Sequence, residues 1–139
     1  MMHSEDEKSL IIQEYSKNPI NNFRLKEFTV SQHEGNFICG DEITVYLLID
    51  KKNIIKNYSF DGNCSSITKA SASFLAEFII GKKISEILNW DHQTLEKEGL
   101  EVSKKRRRAM VIALLATRNA IHIYQKDGKR DEFDDLIND

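Results

Sequence analysis

Phe60-Asp61-Gly62-Asn63-Cys64-Ser65-Ser66-Ile67-Thr68-Lys69-Ala70-Ser71-Ala72-Ser73-Phe74 is the stretch on which the reading of this chain turns. It reads as the end of a strand, a tight glycine-containing turn and the start of a helix. Asn63, Ser65 and Ser66 all favour the N-cap position, where a side-chain oxygen accepts an unpaired backbone N–H. Behind them Ile67, Ala70, Phe74 and Phe78 recur at helical spacing, with the small Ser71 beside them. Cys64 therefore falls at or just before a helix N-terminus. Free N–H groups and the helix dipole favour a thiolate there, so a lowered thiol pKa is expected. A thiolate is the form that binds metal or carries sulfur. The second cysteine, Cys39, lies in Cys39-Gly40-Asp41, read as a turn before a strand.

Working outward, Ile43, Val45, Leu47 and Ile49 alternate with Thr44, Tyr46 and Leu48, which marks a strand. The apolar Tyr46 and Leu48 imply that its second face is partly covered as well. Asp50-Lys51-Lys52-Asn53 is a hairpin turn, and Ile54 to Phe60 the next strand. Phe28 to Gln32 alternates and makes a third strand, with His33 to Asn36 read as a turn. Upstream, residues 5–16 form a first helix, ended at Asn18-Pro19 because the residue before proline avoids the helical region. Downstream, Gly81 is a plausible C-cap. Ile84 to Leu88 is a short helix, Asp91 caps a segment over 92–98, and Lys104 to Tyr124 is the longest helix. Met110, Leu114, Thr117, Ile121 and Tyr124 lie along one side of it. This order implies an α+β fold, a small three-stranded antiparallel sheet with helices packed on one face. Residues 1–126 are read as a single domain and 127–139 as a charged, frayed tail.

The chain has 139 residues, two cysteines, and 20 basic against 22 acidic residues, a net charge of −2. That balance argues against binding dominated by nucleic-acid electrostatics. No apolar run approaches the roughly 20 residues of a membrane span. The N-terminal Met1 to Glu7 is acidic and polar, unlike a secretory signal. A cytoplasmic, reducing location is expected, in which metal or sulfur chemistry competes with a disulfide as the use of the cysteines.

Cys39 precedes the Ile43 strand and Cys64 follows the Ile54 strand. In an antiparallel pair those ends are neighbours, so both thiols and the Asp41 carboxylate should converge at one end of the sheet. Thiolates with a carboxylate suit zinc or an iron–sulfur cluster. A closed zinc site takes a fourth ligand, for which His33 is a candidate. The alternative is that both cysteines are small buried hydrophobes. Lys104 to Arg108 is a basic run able to attract phosphate; it opens a helix without interleaved aromatics, which favours a solvated helix end. No Ser-His-Asp order, phosphate loop or two-histidine metal pattern stands out.

Several stretches resemble the iron–sulfur cluster scaffold family called IscU, SufU or the N-terminal domain of NifU. Tyr15-Ser16-Lys17-Asn18-Pro19-Ile20-Asn21 is similar to its "KNPRN" stretch, and Asn36-Phe37-Ile38-Cys39-Gly40-Asp41 to its "NPxCGD" motif. Phe60 to Ser73 resembles "FxGxGCxxSxASAS", and Glu77 with Gly81-Lys82 the following "E…GK". The likeness runs over about residues 8–125. It implies an iron–sulfur or zinc cargo at Cys39, Asp41 and Cys64, a non-enzymatic scaffold role and a cysteine desulfurase as partner. The chain also departs from the family pattern. Of the family's cluster cysteines, the second falls on Ser65, with Cys64 one position early. The third falls on Ala109, or on Ala113 if the helix is aligned one turn later. The ligand set is then completed by a partner or by a second copy in a homodimer. Otherwise the chain is a degenerate member that binds a desulfurase or other partner without assembling clusters. The chaperone-recognition stretch "LPPVK" appears as Leu100-Glu101-Val102-Ser103-Lys104, without its prolines.

Overall fold

The computed structural model describes residues 3–38 and 40–137, with the backbone alone over 3–9. Three strands form an antiparallel sheet in the order β1 (Val30–Asn36), β2 (Asp41–Ile49), β3 (Ile55–Asp61). The alternation in β2 is realised as read. Ile43, Val45, Leu47 and Ile49 are no more than 7% exposed and form the sheet's side of the core. On the other face Tyr46 is covered by Phe28, edge-on at 5.1 Å, and by the Arg24 guanidinium at 5.7 Å. A register shift between Leu48 and Ile49 lets Ile55 join the buried face before Tyr58 and Phe60.

The helices are α1 (His3–Lys17), α2 (Ser66–Ile79), α3 (Ile84–Ile87), α4 (His92–Lys97), α5 (Arg107–Gln125) and α6 (Phe133–Leu136), with a 3₁₀ turn over Lys104–Arg106 before α5. α5 packs on β1 and β2, α2 packs on α5 and β3, and α1 lies against α2. The expected one-sided stripe of α5 is too narrow a reading. Every residue over 109–117 is buried, as befits a helix enclosed on all sides. Tyr58 donates its hydroxyl to the Ala72 carbonyl at 2.9 Å, fastening β3 to α2. The outer edge of β3 is covered by the loop after Pro19, where Phe60 N–H donates to the Asn21 carbonyl at 3.0 Å.

Two readings need correction. His33 to Asn36, where the sequence predicts a turn, are strand, paired one by one from His33 with Thr44 to Asn36 with Asp41. Their intrinsic preference for strand is poor, and pairing with the strongly patterned β2 overrides it. The segment from Asp127 onward, read as frayed, is docked as far as it is described. Leu136 is fully buried, and its carbonyl lies 3.1 Å from Nδ1 of the buried His92. Asp131 accepts from Arg118 Nε at 2.9 Å, and its own N–H donates to Asn119 Oδ1 at 2.7 Å. Among the described residues no helix is long and apolar enough to cross a membrane.

Candidate functional site at the rim of the sheet

The start of β2 and the end of β3 meet the N-terminus of α2. Gly62 makes this possible. It has a φ of +138°, and a Cβ there would lie 2.5 Å from the Glu42 carbonyl and 2.9 Å from Ile43 Cα. Only glycine lets the turn run this close to β2. Glu42 N–H then donates to the Asn63 carbonyl at 3.1 Å, which sets Asp41 beside Cys64 and Ser65. Cys39 lies outside the described residues; by sequence it belongs to the connection closed by the Asn36–Asp41 pair.

Asp41 is 4% exposed, and both of its oxygens are engaged. Oδ1 accepts from Ser65 N–H at 2.5 Å. Oδ2 accepts from the Thr68 hydroxyl at 2.8 Å and lies 3.1 Å from Ser65 Oγ. Ser65 is the N-cap of α2, accepting from Thr68 N–H. A buried carboxylate against a helix N-terminus is favoured by the unpaired N–H groups and the dipole, which together compensate its charge. Thr68 Oγ1 also lies 3.4 Å from the Ala109 carbonyl, and Ser71 donates its hydroxyl to the Met110 carbonyl. Ala109, the first of the two aligned positions for the family's third cysteine, therefore abuts the Asp41–Ser65–Thr68 cluster.

Cys64 is half-buried and donates its thiol to the Glu42 carbonyl at 3.4 Å. Burial pushes the thiol up to about 11. The Asp41 carboxylate adds to this, Lys69 opposes it, and Asp61 and Glu42 add smaller amounts. The expectation of a lowered thiol pKa is thus overturned. Cys64 precedes the N-cap, its sulfur turns to a β2 carbonyl, and at the helix start the Ser65 and Thr68 N–H groups are taken by Asp41 and by the Ser65 hydroxyl. His33, the candidate fourth ligand, is more than half exposed, with Nε2 3.0 Å from Glu42 Oε1. Among the described residues no three His, Cys, Asp or Glu side chains are gathered to hold a metal ion. The described donors at the rim are Cys64 Sγ and the Asp41 carboxylate.

Two features escaped the sequence reading. One is Thr68, at the third position of α2, whose N–H donates to the Ser65 cap and whose hydroxyl donates to Asp41. A second buried polar cluster joins β1, α5 and the C-terminal segment, and nothing local in the sequence announces it. Glu34 accepts from Asn119 Nδ2, Arg130 and Gln32, each at 2.9 Å. His122 sits with Nδ1 2.8 Å from Asp127 Oδ2 and Nε2 2.9 Å from Asp131 Oδ2. Within the basic run, Arg107 lies 3.8 Å from Glu96, and the Arg108 guanidinium sits 4.8 Å from the centre of the Phe133 ring.

The family model described as the NifU-like N terminal domain matches residues 7–131. The protein named iron–sulfur cluster assembly scaffold protein IscU from Thermotoga maritima is 36% identical over 89 residues, 64% of this chain and 58% of that protein. The protein named zinc-dependent sulfurtransferase SufU from Bacillus subtilis is 34% identical over 79 residues, 57% of this chain and 52% of that protein. The chain thus spans little more than half the length of each of these relatives. The crystal structure of the N-terminal part of a NifU-like protein from Brucella abortus superposes with a TM-score of 0.73. It is 17% identical and covers 91% of this chain and all of that one, which establishes a shared fold.

Proposed function

Because this chain belongs to the NifU-like N-terminal domain family, we propose that it is a divergent scaffold of iron–sulfur cluster assembly, with Cys39, Asp41 and Cys64 as the residues that meet the cargo. The observation that carries the reading is the juxtaposition of the Cys64 thiol, the Asp41 carboxylate and the short connection containing Cys39 at one rim. Thiolate and carboxylate together suit iron in a cluster or a single zinc ion as cargo. The chain's own groups divide the work. Cys64, held protonated by burial, is a poor sulfur nucleophile, so sulfur acceptance is assigned to Cys39. Cys64 and Asp41 are assigned to the metal, and metal binding there displaces the Cys64 proton. The role is that of a carrier and not of an enzyme, its partner is a cysteine desulfurase, and its setting is the cytoplasm. The remaining ligand comes from that partner or from a second copy of the chain.

A second reading has one specific observation in its favour, the engagement of both Asp41 oxygens in capping α2. On that reading the rim is structural, and the protein binds a desulfurase-type partner without holding metal. One experiment separates the two. The protein is reconstituted anaerobically with Fe²⁺ and sulfide, and in parallel with Zn²⁺, then freed of excess and measured by visible absorption and metal content. A scaffold retains metal near stoichiometry, and both Cys39→Ser and Cys64→Ser lose most of it. Metal retention unchanged in Cys39→Ser refutes the site. Absent metal with co-purification of a desulfurase supports the second reading.

A further inference from the structure

We propose that the cleft between the end of β1 and the docked C-terminal segment is a binding site for a small organic carboxylate with an apolar body, recognised by Asn36 and Arg108. The inference does not rest on the metal chemistry of the rim. The cleft has a volume of about 460 Å³, within the range of roughly 300–1,000 Å³ typical of small-molecule sites. Its walls include Phe37, Leu115 and Phe133, with Arg108 and Arg130 as cations and Asn36 at the strand end.

The observation that points to a ligand is Asn36. It is 2% exposed, and its buried Nδ2 has no acceptor among the described residues. A buried amide donor left unpaired costs free energy comparable to a lost hydrogen bond, so a site that keeps one is built to receive an acceptor. The surrounding charges say which acceptor. Arg130 is committed, with Nη2 on Glu34 Oε1 at 2.9 Å and Nε on Glu132 Oε2 at 3.3 Å. Glu34 is itself satisfied by Asn119 and Gln32. His33 lies on Glu42. Arg108 is the remaining cation. Among the described residues it makes no ion pair, and its contact is the face of Phe133. Arg130 lies between Glu34 and Glu132, and with Arg108 the lining charges sum to zero, so the cleft does not repel an anion; within it Arg108 stands without a carboxylate and Asn36 Nδ2 without an acceptor among the described residues, between aromatic and aliphatic carbon. A single carboxylate meets both donors, since guanidinium and amide N–H groups each favour a carboxylate oxygen. Phe37 and Ile38, 97% and 79% exposed at the mouth, offer the surface that an apolar body would cover.

The test uses the full ¹⁵N-labelled chain, metal-free, titrated with 3-phenylpropionate and separately with the uncharged 3-phenylpropan-1-ol. The acid is expected to shift the Asn36 side-chain amide resonances saturably with a Kd of about 1 mM or tighter. The alcohol should bind at least about ten-fold more weakly, the factor expected for one charge-assisted hydrogen bond. Arg108→Gln, at an exposed position, should bring the acid down to the alcohol's affinity and leave the alcohol unchanged. Asn36→Asp, which turns the donor into a repelling carboxylate, should abolish acid binding, and if that variant fails to fold the Arg108 arm decides alone. Equal affinity for acid and alcohol, an Arg108→Gln variant indistinguishable from the parent, or no saturable Asn36 shift up to about 10 mM overturns the site.

Discussion

Asp41 and Glu34 are both buried acids on the sheet, 4% and 5% exposed, with every carboxylate oxygen engaged. They are held by different means. The partners of Asp41 are neutral groups within one helical turn, Ser65 and Thr68, reinforced by the dipole of α2. Those of Glu34 are scattered over Gln32, Asn119 and Arg130, as far as 96 residues along the chain. The Arg130 guanidinium is half exposed and stays solvated if Glu34 is lost. The Thr68 hydroxyl is fully buried at the rim and has little recourse to water. Two burials of similar depth should therefore respond unequally to the same truncation.

The largest effect is expected at the rim. Asp41→Ala leaves the fully buried Thr68 hydroxyl with only the longer contact to the Ala109 carbonyl at 3.4 Å, removes the acceptor of the Ser65 N–H and weakens the start of α2. A loss of about 2–3 kcal/mol follows from two lost hydrogen bonds to a charged acceptor, one of them from a buried donor left with a poorer partner. Glu34→Ala should cost less, about 1–2 kcal/mol, because Asn119 Nδ2 keeps the Asp131 carbonyl at 3.1 Å and Arg130 returns to water. Urea unfolding of both variants gives the ranking, and equal losses would erase the distinction between the two acids.

Next comes the docked C-terminal segment. Leu136→Ala removes a fully buried side chain, so a loss of about 2–3 kcal/mol is expected from large-to-small core substitutions. If this segment were the frayed tail the sequence suggests, the change would stay within about 0.5 kcal/mol.

These two regions also mark what could be read in advance. The sheet, α2 and the meeting of Asp41 with Cys64 were legible because their cues are local. Period-2 alternation runs through β2, capping residues precede Ile67, and a glycine stands where the turn presses on Glu42 and Ile43. The docked segment was opaque because its cues are pairwise and distant. Asp127, Arg130 and Asp131 look like solvated charge until Glu34, Asn119 and His122 are brought to them by the fold. Strand propensity failed over His33 to Asn36 for the same reason, since β2 and not the local sequence decides that pairing. Proximity was readable at Cys64, but the direction of its sulfur was not. A single position before the N-cap separates a thiol facing the helix N–H groups from one facing a strand carbonyl.

That direction has a chemical consequence at the rim. In a Cys39→Ser background, alkylation of metal-free Cys64 should keep rising with pH toward a midpoint near 11, where an ordinary thiol levels off above about 8.5. Asp41→Asn removes one negative neighbour and should bring the midpoint down. It should remain above the ordinary value, because burial is the larger cause. An alkylation profile centred near 8 would mean that the sulfur faces solvent or the helix N-terminus after all. It would also reopen Cys64 as an acceptor of sulfur.

The smallest effect belongs to the far side of the comparison. The hydrogen bond from His122, followed by the Lys129 N–H, holds the Asp127 carboxyl below the usual carboxylate range. A depressed acid stabilises the folded state at pH values above its unfolded pKa of about 3.9, and the contribution is lost as pH falls through the folded value. The difference in urea midpoint between the parent and Asp127→Asn, followed through the single tryptophan Trp90, should therefore be flat from about pH 5 to 8 and shrink only below about pH 4. Asp127 is solvent-exposed, so the difference itself is small. A difference that changed between about pH 6 and 8 would assign the proton to another group of the cluster, and the docked segment would then respond to pH in the neutral range, where the rim thiol, still protonated, does not.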